Sequence, residues 1–114
     1  MNLKANKIIF FINISINILF SSNVTFNLNM STAGAVTDST HAIVIRGSFN
    51  NWAGNDMPVT SIGGDYYTTT LSLDPGNYTF KFVAIDNLTN TDGWENTNDR
   101  TMTISSNDTT INCY

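Results

Sequence analysis

The chain has 114 residues, of which 41% are apolar and only 12% charged, and its formal net charge is −4. This length suits one domain, and the scarcity of Glu and Lys argues against solvated helices, whose exposed positions these residues usually fill. A negatively charged chain does not attract phosphate backbones, so nucleic acid is not an expected partner. Because so few residues are charged, the polar surface must consist mainly of amides and hydroxyls. These groups hydrogen-bond neutral polyols well.

The first 22 residues are predicted to form a targeting segment. Lys4 and Lys7 precede a run from residue 8 to residue 20 that is apolar except for three polar residues, as in a secretory signal peptide. The alternatives are an uncleaved membrane anchor and an N-terminal β-strand, although a spanning helix needs roughly 20 apolar residues. We expect a signal segment over residues 1–22, a domain over residues 23–114, a secreted or cell-surface location, and no membrane contact beyond the N-terminal segment.

Alternation of apolar and polar residues predicts an all-β fold for the rest of the chain. Gly63-Gly64 permits a tight reversal, and Asp74-Pro75-Gly76-Asn77 suits a type II turn that closes a hairpin. Several short strands separated by turn signals are typical of a β-sandwich. The predicted strands lie at residues 24–30, 42–46, 57–60, 66–73, 78–83 and 100–105.

The same alternation assigns the aromatic residues of one strand to the core. Tyr78, Phe80 and Phe82 share one face with the inward-facing Phe26 of the first strand, whereas Lys81 faces the opposite surface. Its charge is therefore free to meet a ligand.

The only two tryptophans, Trp52 and Trp94, lie among turn-forming and hydrogen-bonding residues rather than in apolar runs. Such rings are poorly placed for a core. An indole offers a broad apolar area at little cost in rotamer entropy, and the C–H face of a glucose ring packs on it. The sequence therefore predicts a sugar-binding surface around these two residues.

Three segments, in this order, carry a family resemblance. The segments are Gly47-Ser48-Phe49-Asn50-Asn51-Trp52, Asp74-Pro75-Gly76-Asn77-Tyr78-Thr79-Phe80-Lys81-Phe82-Val83, and Trp94-Glu95 followed by Arg100. Together they resemble starch- and glycogen-binding modules, the immunoglobulin-like carbohydrate-binding module families 20 and 48, over residues 24–114. The resemblance implies an immunoglobulin-like antiparallel β-sandwich.

The resemblance also implies roles for single residues. Trp52 and Trp94 would be the stacking platforms, and Lys81 a cation that binds sugar hydroxyls. These families usually place Asn directly before the Arg, but Asp99 holds that position here and Asn98 lies one residue earlier. Asn98 and Asp99 are thus equal candidates for the polar partner of the sugar.

The loop carboxylate Glu95 either contacts the sugar or only solvates its loop. Catalysis has little support, because the single histidine, His41, has no nucleophile at a recognisable spacing. We predict no catalytic residues, no metal site and no cofactor. The lone Cys113 is either an incidental thiol or the partner of another chain.

Two functions follow from these observations. The first is noncatalytic binding of α-glucan, which would bring an attached or associated glycoside hydrolase to the polymer. The second is a structural or protein-interaction β-sandwich in a larger secreted protein.

Overall fold

The computed structural model describes residues 20–114. The predicted signal segment lies outside the described residues except for its last three, of which Ser22 is the buried first residue of a strand. No helix among residues 20–114 is long and apolar enough to cross a membrane. The described part of the chain is all β, with the strands β1 Ser22–Asn29, β2 His41–Gly47, β3 Pro58–Gly63, β4 Tyr66–Leu73, β5 Gly76–Asp86, β6 Asp92–Trp94, β7 Arg100–Ile104 and β8 Thr109–Cys113.

The strands form a sandwich of two hydrogen-bonded layers that share β3. In one layer, the β1 sheet, the order is β8, β1, β4 and the later part of β3. In the other, the β5 sheet, the start of β3 pairs with β2, β2 pairs with β5, and β5 pairs with both β6 and β7. All pairs are antiparallel except β1 with β8, which is parallel, so the β-sandwich is confirmed but is not wholly antiparallel.

Phe26 of β1 joins the two layers at the centre of the core. Its ring lies edge-on to Phe80 and Phe82 of β5, with centroid separations of 5.2 and 6.4 Å. Edge-to-face pairs of this kind add to the stabilisation that burial alone provides. The predicted core positions of Phe26, Phe80 and Phe82 are confirmed, whereas Tyr78 is only half-buried and packs against the core from its edge. Met102 and Ile104 of β7 face the same interior.

The connection between β4 and β5 differs from the predicted hairpin. These strands do not pair with each other, because β4 belongs to the β1 sheet and β5 to the β5 sheet. The hydroxyl of Tyr78 donates a hydrogen bond to the carbonyl oxygen of Asp74 at 2.7 Å. The Asp-Pro-Gly segment therefore carries the chain from one layer to the other.

Two strands were absent from the sequence-based prediction. The three residues of β6 are all exposed and fall between the predicted strands at residues 78–83 and 100–105. The strand β8 pairs with β1 across more than 80 residues of sequence, which local alternation does not indicate.

Candidate functional site

The loop after β2 presents the first tryptophan. The backbone N–H of Gly47 donates to Asn50 Oδ1 at 2.8 Å, and Asn50 Nδ2 donates to the carbonyl oxygen of Ile45 at 3.1 Å. The N–H of Trp52 donates back to the carbonyl oxygen of Gly47 at 3.0 Å. The Asn50 amide therefore closes the turn that holds Trp52.

Gly47 is required by a close approach of two strands. A Cβ at this position would meet the carbonyl oxygen of Thr79 and would lie 2.9 Å from the Cβ of Phe80. The loop that carries Trp52 therefore begins where β2 lies in direct contact with β5.

Backbone strain is concentrated at the tip of this loop. Asn51 and Trp52 both have left-handed backbone conformations, with φ of 58° and 57°. Asn tolerates this region, whereas a bulky indole residue rarely occupies it. Such strain costs roughly 1–3 kcal/mol and clusters at functional sites, which favours a binding role for Trp52.

The second tryptophan lies on the outer face of the β5 sheet. Trp94 is the register partner of Val83, and Val83 is the partner of Val44. Directly opposed residues share a face, and Val44, Val83 and Ile85 form a small buried cluster separate from the main core. This outer face is thus apolar beneath the tryptophans.

The structure brings the two indoles together. Their ring centroids are 6.4 Å apart and the ring planes are inclined by 39°. Trp94 is 42% exposed, and Trp52 is half-buried. The pair forms one bent apolar platform that is open to solvent.

Arg46 fastens the two tryptophan-bearing segments to each other, and the sequence-based prediction missed this residue. It is only 6% exposed. Its Nε donates to the carbonyl oxygen of Gly54 at 2.9 Å, and its Nη2 donates to Asn55 Oδ1 at 2.9 Å. Its Nη1 donates to Asp92 Oδ2 at 2.7 Å, and its Cζ lies 5.2 Å from the centroid of Trp94. One planar guanidinium therefore touches the first loop, β6 and the indole.

The ion pair of Arg46 changes the titration of its partner. The hydrogen bond from Arg46, with a smaller contribution from its charge, lowers the pKa of Asp92 below the usual 3.8. The ion pair therefore favours the charged form of Asp92. The only sequence signal for this pair was a charged residue at the end of the apolar run 42–46.

Lys81 and Asp99 lie on the same face as the tryptophans. Lys81 is the register partner of Arg46, and its Nζ is 3.6 Å from Asp99 Oδ1, with Asp99 about half exposed. Lys81 is therefore not an unpaired cation. The side chain of Asn98 is exposed and makes no hydrogen bond within residues 20–114.

Glu95 supports the site from within the fold. Its Oε1 accepts hydrogen bonds from the N–H of Phe82 at 2.7 Å and from Arg100 Nε at 3.1 Å, and its Oε2 accepts one from Arg100 Nη2 at 2.8 Å. Its side chain is only 15% exposed. The carboxylate therefore anchors the segment after Trp94 to β5, and little of its capacity remains for a sugar.

His41 and Cys113 lie apart from the tryptophan pair within residues 20–114. His41 is the first residue of β2, and its Nε2 lies 4.0 Å from Asp86 Oδ2. Cys113 is buried, and this burial raises the pKa of its thiol. No group of three His, Cys, Asp or Glu residues in the described range is placed to hold a metal ion.

The comparison with known proteins identifies one family. No curated protein matches the chain. A family described as the glycogen recognition site of AMP-activated protein kinase matches residues 36–112, a range that includes Trp52, Lys81 and Trp94. The resemblance to starch- and glycogen-binding modules is thereby confirmed. Because the match spans more than half of the sequence, the chain belongs to this family of carbohydrate-binding modules.

Proposed function

We propose that this domain binds α-glucan of the starch or glycogen type without catalysis, seating glucose rings on Trp52 and Trp94. The observation that carries the proposal is the indole pair, whose centroids lie 6.4 Å apart with planes inclined by 39°. Two tilted rings follow the curvature of an α-1,4-linked chain better than one flat surface does. The family to which the chain belongs supports the same ligand class.

The platform suits a sugar because it combines an apolar surface, the two indoles, with polar residues at its rim. The apolar C–H face packs on the indoles, and the equatorial hydroxyls point outward to donors and acceptors around the rim. Lys81 and Asp99, 3.6 Å apart, supply one donor and one acceptor beside each other. Asn98 lies next in sequence and is the alternative amide partner.

The platform is preorganised by groups beneath it. Arg46 holds the Trp52 loop and β6 together, and Glu95 holds the segment that follows Trp94. A site that is ordered before binding loses less conformational entropy when the ligand arrives. A shallow platform still buries only one side of a flexible chain, so we expect a Kd in the micromolar to millimolar range, about −8 to −4 kcal/mol.

A pull-down on insoluble starch, together with affinity electrophoresis in glycogen, tests the proposal. Wild type should bind, and Trp52→Ala and Trp94→Ala should each weaken binding by at least about tenfold, because each removes one stacking surface. Tyr66→Ala is the matched control. Tyr66 is 57% exposed but lies on β4 in the other sheet.

Binding that persists undiminished in both tryptophan variants would contradict the proposed site. If wild type binds neither polymer, the domain is a structural or protein-interaction sandwich instead. Retention on cellulose as well as starch would show that the platform does not select α-linked chains.

We propose in addition that the domain acts outside the cell and delivers an attached or associated glycoside hydrolase to its polymer. The support for a location outside the cell is the N-terminal run of apolar residues that follows Lys4 and Lys7. Mass spectrometry of the exported protein tests the location. A mature chain that starts near residue 23 is expected, and retention of the whole chain in the cytoplasm would contradict it.

A further inference from the structure

The outer face of the β5 sheet does not end at Lys81. It continues into a shallow trough of about 490 Å³, which lies within the range of small-ligand clefts, roughly 300–1,000 Å³. Five exposed or half-buried polar residues contribute to its lining: Ser48, Asn77, Thr79, Thr101 and Thr103.

Strand register makes this trough a continuation of the tryptophan platform. Asn77, Thr79 and Lys81 alternate along β5, so their side chains share one face, with neighbours about 7 Å apart. Thr101 of β7 is the register partner of Thr79. One straight path along β5 therefore leads from Trp94, past Lys81, into the trough.

The trough offers hydrogen bonds that are not yet used. Thr103 Oγ1 donates to Asn77 Oδ1 at 2.8 Å, which leaves the two amide hydrogens of Asn77 available. The hydroxyls of Thr79 and Thr101 make no side-chain hydrogen bond within residues 20–114. All the groups are neutral, and each hydroxyl both donates and accepts, as a row of sugar hydroxyls requires.

We propose that this trough is a further subsite for α-glucan, so that a chain longer than the indole platform continues over Lys81 and lies against Thr79 and Thr101. The inference rests on the proposed function. It predicts that the domain prefers long oligosaccharides to short ones.

Calorimetry with maltotriose and maltoheptaose tests the subsite. The double variant Thr79→Val/Thr101→Val keeps the branched shape of both side chains but removes both hydroxyls. It should weaken maltoheptaose binding by about tenfold, as expected for two lost hydrogen bonds, and leave maltotriose binding unchanged. The matched control is Thr25→Val/Thr70→Val, a register pair on the outer face of the β1 sheet, which should alter neither affinity.

The outcomes separate the two proposals. If the Thr79/Thr101 variant binds maltoheptaose as tightly as wild type while Trp94→Ala does not bind, the subsite is wrong and the proposed function stands. If wild type binds neither oligosaccharide, the proposed function fails and the subsite fails with it. Equal losses for both oligosaccharides, with an unchanged melting temperature, would also contradict a separate subsite.

Discussion

The two outer faces of this sandwich are both rich in Thr and Asn, yet they differ in how those side chains are used. On the β1 sheet the polar groups satisfy one another: Thr25 and Thr70 hydroxyls are 3.0 Å apart, and Asn27 exchanges hydrogen bonds with Asn112 and Thr68. On the β5 sheet the hydroxyls of Thr79 and Thr101 remain unpaired within the described residues, and two indoles lie further along the same face, beyond Lys81. Composition alone therefore does not distinguish the two faces; the unpaired hydroxyls and the exposed aromatic pair on one of them do.

The largest effect is expected from a substitution at Gly47, where β2 and β5 approach each other closely. Gly47→Ala places a methyl group against the Thr79 carbonyl and 2.9 Å from the Cβ of Phe80, so β2 must move away from β5. We expect a loss of about 3 kcal/mol or more in the free energy of unfolding, measured by urea denaturation, together with loss of starch binding.

Gly64 supplies the matched control for this substitution. It lies in the β3–β4 turn of the other sheet, has a φ of 56°, and has open space where a Cβ would stand. Gly64→Ala should cost only the left-handed strain, about 1–2 kcal/mol, and leave binding intact. Equal losses for the two variants would mean that the close approach at Gly47 is unimportant.

The next effect removes the link between the two tryptophan segments. Arg46→Met eliminates the hydrogen bonds to Gly54, Asn55 and Asp92, and we expect roughly 1–3 kcal/mol of destabilisation and about tenfold weaker binding. Arg46→Lys keeps the charge but not the planar fork, so it should fall between wild type and Met. Because the chain has only two tryptophans, a red shift of the emission maximum reports the loosened pair directly.

Asn27→Ala on the opposite face is the control for Arg46. It also removes two side-chain hydrogen bonds, but it should leave both the emission maximum and the affinity unchanged. An unshifted emission spectrum in Arg46→Met would contradict the positioning role of the guanidinium.

Low pH should weaken the same contact between Arg46 and Asp92 without a substitution. Folding lowers the pKa of Asp92 from 3.8, so the ionised carboxylate contributes stability that is complete above that value and is lost as pH falls through the lowered pKa. Glucan affinity should therefore be constant from pH 8 to about 5 and weaken only below about pH 4. Asp92→Asn should bind weakly at every pH and lose this acid-dependent step, whereas a decline in wild type near pH 6 would point to another group.

Much of the fold could be predicted from sequence because the alternation of apolar and polar residues is a local pattern within each strand. Alternation identified β1, β4, β5 and β7 and assigned Phe26, Phe80 and Phe82 to the core, since a half-buried strand must repeat every two residues. The strand β8 was missed because its partner β1 lies far away in sequence. The predicted β4–β5 hairpin was wrong because Pro and Gly signal a turn but not which sheet the next strand joins.

In the candidate site, too, residues with a local sequence signal could be predicted, and residues whose role depends on distant parts of the chain could not. Trp52 and Trp94 could be singled out from their immediate sequence neighbours, which are turn-forming and polar, and Lys81 from its place in the alternation of its strand. Arg46 gave no comparable signal, because its role depends on Asp92, a residue 46 positions further along the chain. Glu95 was an open choice in the sequence and proved to be bound to Phe82 and Arg100.

The smallest expected effect sharpens the choice between two neighbouring residues at the edge of the β5 face. The carboxylate of Asp99 is held 3.6 Å from Lys81, which fixes an acceptor beside the platform, whereas no hydrogen bond within residues 20–114 orients the side chain of Asn98. An exposed ion pair contributes little to stability, so Asp99→Ala should leave the melting temperature nearly unchanged. It should nevertheless weaken glucan binding by about threefold, because one oriented acceptor is lost. Asn98→Ala should change neither quantity when measured by the same calorimetry, since an unanchored amide must be ordered before it can contribute. The reverse result, with Asn98 the more sensitive position, would mean that the β6–β7 loop rearranges when the sugar binds.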